Sequence, residues 1–318
     1  MVGVRWAFRC GSWTPTRSEW LLAARCVQRE EKERIGQFMF AKDAKSAMAG
    51  RLLLRRLVCD RMGVPWADIR LERSPRGKPY LANPACSSPE SVGWSFNISH
   101  QGDYAVLAAE QGLQVGVDVM KTTMPGSSSV PEFFRIMTRQ FTDYEWSVIR
   151  RAGSEWEQLT MFYRHWVLKE SFIKAIGTGL AFNLQRAEFH LSPEPIADGK
   201  VCRRTTMHLD EEEEEVWTFE ETVLGKDHHV AVALRPRHTV RSVVSHSLPL
   251  PLPSPILPPP SPSSPSVTSS AWPHPSLKKT PPTGRTSRKR LKPRKDRDSQ
   301  LQYEDRTGRV GEHQGWCD

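Results

Sequence analysis

Two acids and one ammonium carry the chemistry this chain could do. Glu170 and Lys174 lie four residues apart in the run Phe162-Tyr163-Arg164-His165-Trp166-Val167-Leu168-Lys169-Glu170-Ser171-Phe172-Ile173-Lys174-Ala175-Ile176-Gly177, and Trp166 precedes Glu170 by the same step. On a helix, that spacing puts all three on one polar face. A carboxylate and an ammonium one turn apart can serve a phosphate and its metal together. A plainer description fits the same pair, since Glu followed by Lys at i+4 is the favourable order for a solvated ion pair. The second acid is Asp118, in Leu113-Gln114-Val115-Gly116-Val117-Asp118-Val119-Met120. Leu113, Val115, Val117 and Val119 alternate with the rest, which predicts a strand with one apolar face. Asp118 lies opposite that face, and Gly116 leaves space beside it. An acid there also suits the solubility of an edge strand.

Each group needs a rigid element under it. Leu168, Phe172, Ala175 and Ile176 fall at i, i+4, i+7 and i+8, an apolar stripe that predicts a helix over Leu159 to Ile176, stopped by Gly177 and Gly179. Upstream, Arg73-Ser74-Pro75-Arg76-Gly77-Lys78-Pro79 gathers three cations in a turn, and Gly77 allows close backbone approach. Such a turn is either an exposed basic loop or a clamp for phosphates.

Taken together, Gly-Val-Asp at 116–118 and Trp-x-x-Lys-Glu-Ser-x-x-Lys at 166–174 resemble the signature of the Sfp-type phosphopantetheinyl transferases. The resemblance extends to Asn97-Ile98-Ser99-His100, to the 73–79 turn and to Arg34-Ile35-Gly36-Gln37-Phe38, and covers roughly residues 3 to 235. It implies transfer of the 4'-phosphopantetheine arm of coenzyme A to a serine of apo acyl or peptidyl carrier domains, of the fatty acid synthase and aminoadipate-semialdehyde dehydrogenase types. Adenosine 3',5'-bisphosphate leaves. By the same resemblance Asp118 and Glu170 hold Mg2+, Glu170 is also the base, and Lys174 contacts the transferred phosphate. Coenzyme A is then expected against Arg34, Arg73, Ser74, Pro75, Arg76, Gly77, Lys78, Asn97, Ile98, Ser99, His100, Lys169 and Lys174. Lys169 points about 100° around the helix from Glu170, towards the coenzyme's phosphates or solvent. Many members carry a further acid two residues after the strand aspartate. This chain has Met120 there, so a water or the Gln101 amide is expected to complete the metal's shell.

The remaining elements follow from local pattern. Strands are expected at Val4 to Phe8, Ile69 to Glu72, Trp94 to Ser99 and Tyr104 to Ala109, with a tight turn at Gln101-Gly102-Asp103. Helices are expected at Arg17 to Ala24, from Glu30 to Arg34, at Asp43 to Met62, Pro131 to Met137 and Thr142 to Arg150. Further strands fall at Glu188 to Leu191, Thr205 to Leu209, Val216 to Thr222 and His229 to Leu234. The acidic run Asp210 to Glu215 reads as a solvated hairpin tip. Tyr104-Ala105-Val106-Leu107-Ala108 and His229-Val230-Ala231-Val232-Ala233 look like one closing strand used twice. The expected class is α+β with two similar halves, residues 1–111 and 112–236, the pseudo-duplicated fold that the resemblance implies.

Composition excludes several alternatives. No run of 18 apolar residues predicts a membrane span, and Val4 to Phe8 reads as a strand in place of a signal peptide's apolar core. Cys10, Cys26, Cys59, Cys86, Cys202 and Cys317 form no Cys-x-x-Cys pair, so a reducing cytosol is expected, and the enzyme is expected to act as a monomer. After Pro236 there are 14 Lys and Arg against 6 Asp and Glu, which leaves 31 against 30 before it. All but one unit of the +9 net charge therefore belongs to the 237–318 segment, which is Pro/Ser-rich over 248–282 and basic over 288–295. That composition predicts a disordered tail. A protein acting on nucleic acid or a partner through that tail is the alternative function.

Overall fold

The computed structural model describes residues 3–75, 77–82, 93–126 and 128–237. Arg76, the Pro-rich spacer at 83–89 and the tail from 238 onward lie outside the described residues. In chain order the elements are β1 (Val4–Phe8), α1 (Arg17–Arg25), α2 (Arg29–Gly36), α3 (Ala41–Met62), β2 (Leu71–Arg73), β3 (Pro79–Leu81), β4 (Trp94–Gln101), β5 (Tyr104–Gln111) and β6 (Leu113–Lys121). They continue with α4 (Val130–Ile136), α5 (Asp143–Arg151), α6 (Glu155–Ile176), β7 (Ala187–His190), β8 (Thr206–Leu209), β9 (Glu212–Glu213), β10 (Thr218–Leu224) and β11 (His228–Pro236).

Two antiparallel sheets of three strands, ordered β1-β5-β4 and β10-β11-β6, form the centre. The two strands that look alike in sequence, β5 and β11, are the middle strand of each. Both are apolar on both faces for a reason. Ala105, Leu107 and Ala109 of β5 pack with Leu53, Leu57 and Val58 of α3, while Val106 and Ala108 face the other way. Ala231 and Ala233 of β11 pack with Leu168 and Phe172 of α6, while Val230 and Val232 join Val106, Val115, Val117 and Val119 in a core shared by the two sheets. The architecture is α+β in two similar halves, each a sheet backed by a long helix.

The halves are sewn together by side chains. Along β4, Asn97 Oδ1 accepts from Val117 N at 3.1 Å, Ser99 donates to Asp118 at 2.7 Å, and Gln101 Oε1 accepts from Lys121 N at 2.7 Å. Residues 97, 99 and 101 share one face of β4 because side chains alternate along a strand. At the other margin Arg5 of β1 pairs with Glu220 of β10 at 2.7 Å and with Glu110 at 2.8 Å.

The helix carrying Glu170 is longer than its apolar stripe indicated. It starts at a capping box between Ser154 and Glu157 and ends at Gly177, whose φ of 72° only glycine adopts without strain. Gly116 explains how closely it sits. A Cβ at Gly116 would lie 2.0 Å from the Ser171 carbonyl and 2.4 Å from Ala175 N, so α6 backbone fills the space beside Asp118. Strand β6 is therefore covered on both faces and is no solvated edge. The acidic run forms the expected exposed hairpin tip. Asp210 and Glu211, at φ 53° and 73°, make the turn, and Glu212–Glu213 return as a short strand paired with β8.

Gly116→Val forces β6 and α6 apart. Overpacking of this kind costs about 1–3 kcal/mol, and urea denaturation should show that loss. Wild-type stability in the variant would mean the contact is looser than the 2.0 Å approach indicates.

Candidate active site

A cleft of about 780 Å³ opens between the halves. Arg34, Arg73, Gly77, Lys78, Asn97, Ile98, Ser99, His100, Glu170 and Lys174 all line it. The turn that presents Gly77 and Lys78 is closed by its own backbone: Ser74 N donates to Lys78 O at 2.9 Å and Gly77 N to Ser74 O at 2.8 Å. Ser74 and Pro75 shape this turn without lining the cleft. Lys78 reaches the far half, where its ammonium lies 3.4 Å from the carbonyl of Lys174. Burial first, and then the charge of Arg237, lowers the Lys78 pKa. The His100 ring is exposed on the wall. Crowding around it, followed by the charges of Lys174 and Arg34, lowers its pKa and favours the neutral imidazole.

Glu170 lines the cleft, and Asp118 lies close enough for its charge to act on it. Asp118 is buried behind the lining, and its Oδ1 accepts from Ser99 at 2.7 Å and from Lys174 at 2.5 Å. Glu170 has its pKa raised, by burial first and by the negative charge of Asp118 second, with Lys174 offsetting part. Among the described residues Glu170 meets no hydrogen-bond donor. Lys174 binds one carboxylate, Asp118, and the charge of Asp118 helps push the other, Glu170, towards protonation. That arrangement fits a divalent cation, which takes oxygen ligands and relieves exactly this kind of repulsion.

The opposite wall is organised by one carboxylate. Glu31, buried on α2, binds Arg51 at 2.8 Å, Arg34 at 3.1 Å and Arg73 at 3.1 Å. Burial alone would raise the Glu31 pKa, but the Arg73 hydrogen bond and the charges of Arg51, Arg73 and Arg34 outweigh it, and the net shift is downward. Arg51 is pushed down to about 10, chiefly by burial, with Glu31 pulling it back up. Its Nη1 is buried with no partner among the described residues. Three guanidiniums against one carboxylate leave the wall strongly positive and pre-shaped for a polyanion.

The match to known proteins divides at the same place as the sheets. Residues 11–112 match the family described as 4'-phosphopantetheinyl transferase, N-terminal, and residues 114–233 match the 4'-phosphopantetheinyl transferase superfamily. This chain belongs to that superfamily. It is 62% identical over 234 residues to the L-aminoadipate-semialdehyde dehydrogenase-phosphopantetheinyl transferase of Xenopus laevis, covering 74% of this chain and 76% of the relative. The protein of the same name from Homo sapiens is 61% identical over 235 residues, 74% of this chain and 75% of the relative. A phosphopantetheinyl transferase of Thraustochytrium is 38% identical over 234 residues, 72% and 77% of the two chains. The chain is thus a phosphopantetheinyl transferase, an enzyme of a family that works on coenzyme A and apo carrier domains.

Two expected roles within this transferase need correction. Lys169 does not reach the cleft or solvent. It is 1% exposed, its ammonium lies 2.7 Å from Glu145, and it also donates to the carbonyls of Leu184 and Ala187. Gln101 is committed to the seam through Lys121 N, so its carbonyl oxygen is not free for a metal. Met120 packs against the core beside α6. Sequence reasoning missed Glu31 and Arg51. The signal for Arg51 was available, since it falls on the apolar stripe of α3 between Ala47 and Leu54.

Removing the hub charge gives a measurable result. Glu31→Gln leaves Arg51 buried without a counter-ion, which costs on the order of 3 kcal/mol; the half-exposed Arg34 and Arg73 contribute less because water screens them. Inorganic pyrophosphate should restore more melting temperature to the variant than it adds to wild type. The lowered Glu31 pKa sets the sign with pH: its stabilisation is present above the unfolded value of about 4.3 and fades as pH falls through the lower folded value. An unchanged melting temperature in Glu31→Gln would show that the arginines hold their places without it.

Proposed function

We propose that this transferase moves the 4'-phosphopantetheine arm of coenzyme A onto a serine hydroxyl of apo acyl or peptidyl carrier domains, with Mg2+, releasing adenosine 3',5'-bisphosphate. The carriers include those of the aminoadipate-semialdehyde dehydrogenase and fatty acid synthase types, the first being named in the relatives. The observation that carries the reading is the pairing of Asp118 from one strand with Glu170 from one helix, close enough that one raises the other's pKa, at the end of an arginine-lined cleft. We place the enzyme in the cytosol as a monomer, in keeping with Cys10, Cys26, Cys59 and Cys202, all free thiols. No helix among the described residues is long and apolar enough to cross a membrane.

Asp118 and Glu170 would hold the Mg2+, which supplies positive charge to the diphosphate. Arg34, Arg51, Arg73 and Lys78 bind the coenzyme's phosphates, and the unpartnered Arg51 Nη1 is the donor best prepared for one of them. His100, neutral by its lowered pKa, donates one ring N–H to a phosphate oxygen. Glu170 takes the proton of the carrier serine, which its raised pKa favours. The serine oxygen then forms a bond to the phosphorus bearing the pantetheine, and that phosphorus releases the bridging oxygen with the adenosine bisphosphate. Lys174 holds the charge that develops on the transferred phosphoryl oxygens. Ser99 keeps Asp118 in place.

The reading is tested by incubating the protein with coenzyme A, Mg2+ and an apo carrier domain, then weighing the carrier. A gain of one phosphopantetheine arm is expected, and an unchanged carrier beside an active control transferase would remove the assignment. Among variants, Asp118→Asn should lose rate that higher Mg2+ partly restores. Glu170→Gln should lose on the order of 10²–10⁴ in rate with no rescue by metal. For wild type, kcat/KM should rise with pH through a value above the ordinary glutamate range of about 4.3, and Glu170→Gln should flatten that limb. Rescue of Glu170→Gln by metal would leave Glu170 a ligand and assign the base elsewhere.

A further inference from the structure

Among the described residues one set of three metal-ligating side chains lies away from the cleft: Glu188, His190 and His208. Sheet register brings them together. Ala187 and Phe189 of β7 are buried in the core, so Glu188 and His190 project from the outer face. His208 of β8 stands directly opposite Glu188 in the antiparallel pairing, with the buried Met207 beside it turned inward. Two positions i, i+2 on one strand and a cross-strand partner on the next are the closest grouping a sheet face offers. One donor atom from each of the three lies within 4.8 Å of the others.

Ordinary contacts do not exhaust these groups. Glu188 Oε1 lies 2.9 Å from His190 Nε2, and the two imidazole rings meet edge to face at 4.3 Å. The Tyr144 ring stacks on His190 at 4.3 Å with 21° between planes, which fixes the ring's orientation. His208 Nδ1 is buried and has no hydrogen-bond partner among the described residues. A buried polar atom left without a partner calls for an ion or a water to complete it.

We propose that Glu188, His190 and His208 form a zinc-binding site. Two imidazole nitrogens and one carboxylate oxygen are a donor set that Zn2+ takes, with a solvent molecule in the fourth position. Mg2+ prefers oxygen ligands throughout and is not suited to it. Bonds of about 2.0–2.2 Å would draw the three donors to roughly 3.4 Å apart, a movement within reach of side-chain rotation from the present spacing. Glu213 of β9, paired with His208 from the other side, adds negative charge next to the cation. The bound ion clamps β7 to β8. That strand begins at Ala187, whose carbonyl accepts the Lys169 ammonium from α6, so the clamp secures the sheet on which the catalytic helix leans. The site neither uses nor depends on the transfer reaction.

Zn2+ titration of the metal-free full chain, in the presence of millimolar Mg2+ to keep the cleft acids engaged, tests the site. One tight equivalent is expected, with a raised melting temperature, and Co2+ in its place should give the intense visible absorption of a tetrahedral site. His208→Gln, and separately Glu188→Gln on the partly exposed face, should each weaken Zn2+ binding by at least about 100-fold and abolish the thermal shift. Asp118→Asn should leave Zn2+ binding unchanged. Failure of wild type to bind Zn2+, equal binding by wild type and both variants, or loss of binding in Asp118→Asn would each overturn the proposal.

Discussion

Side-chain hydrogen bonds between β4 and β6 set everything else at this site. A backbone ladder between two strands tolerates a slip, because every residue carries the same donor and acceptor. Asn97, Ser99 and Gln101 remove that freedom, since each has one partner on β6, at Val117, Asp118 and Lys121. A slip by one residue would turn all three away from the seam and leave buried polar groups unpaired, at about 1–3 kcal/mol each. The middle of the three bonds ends on Asp118. The constraint that joins the halves is therefore also the one that fixes the first acid.

The second acid is fixed by an independent route. Gly116 brings α6 backbone against β6, so the helix has one height and one azimuth relative to Asp118. Its outgoing end is held as well. Gln114 donates to the Ala175 carbonyl at 2.7 Å, Lys78 approaches the Lys174 carbonyl, and Gly177 caps Ile173. On the helix's other side, the Glu145–Lys169 pair is almost wholly buried. Burial raises the Glu145 pKa and lowers that of Lys169, so each would prefer neutrality on its own, and their mutual attraction, with backbone donors from Thr142 and Phe189, keeps the pair together. Such a pair adds little net stability but is costly to break. It specifies which face of α6 turns towards the cleft.

This explains what could be read from the sequence and what could not. Strand β6, helix α3 and helix α6 announce themselves by period, and the acids and Lys174 follow from their places on those elements. Period also gave the angle between Lys169 and Glu170 correctly. It could not say that a second protein layer, α5 and β7, waits on the Lys169 side, because that contact joins residues 24 positions apart through tertiary packing. The same holds for Asn97 and Gln101, whose partners lie 20 residues on. Strand β9 was hidden because Asp210 and Glu211 adopt left-handed backbone that non-glycine residues seldom take, and five consecutive glutamates suggest solvent before pairing.

The arginine wall shows how a site can prepare for charge it does not yet hold. Arg34, Arg51 and Arg73 come from three separate elements and would repel one another at the distances Glu31 imposes. One carboxylate cannot neutralise three guanidiniums, so the cluster is held in place and left under-compensated at once. Full neutralisation inside the wall would hold the side chains more firmly and would leave no pull on a phosphate. No internal acid at all would let the arginines disperse into solvent, and ordering them again would consume binding energy. A single buried glutamate lies between those limits. The same logic runs in reverse at the other end of the cleft, where Lys174 binds Asp118 and only partly offsets the crowding of negative charge at Glu170. A cleft with excess positive charge on one wall and crowded negative charge at its end is matched to a polyphosphate that arrives with a cation.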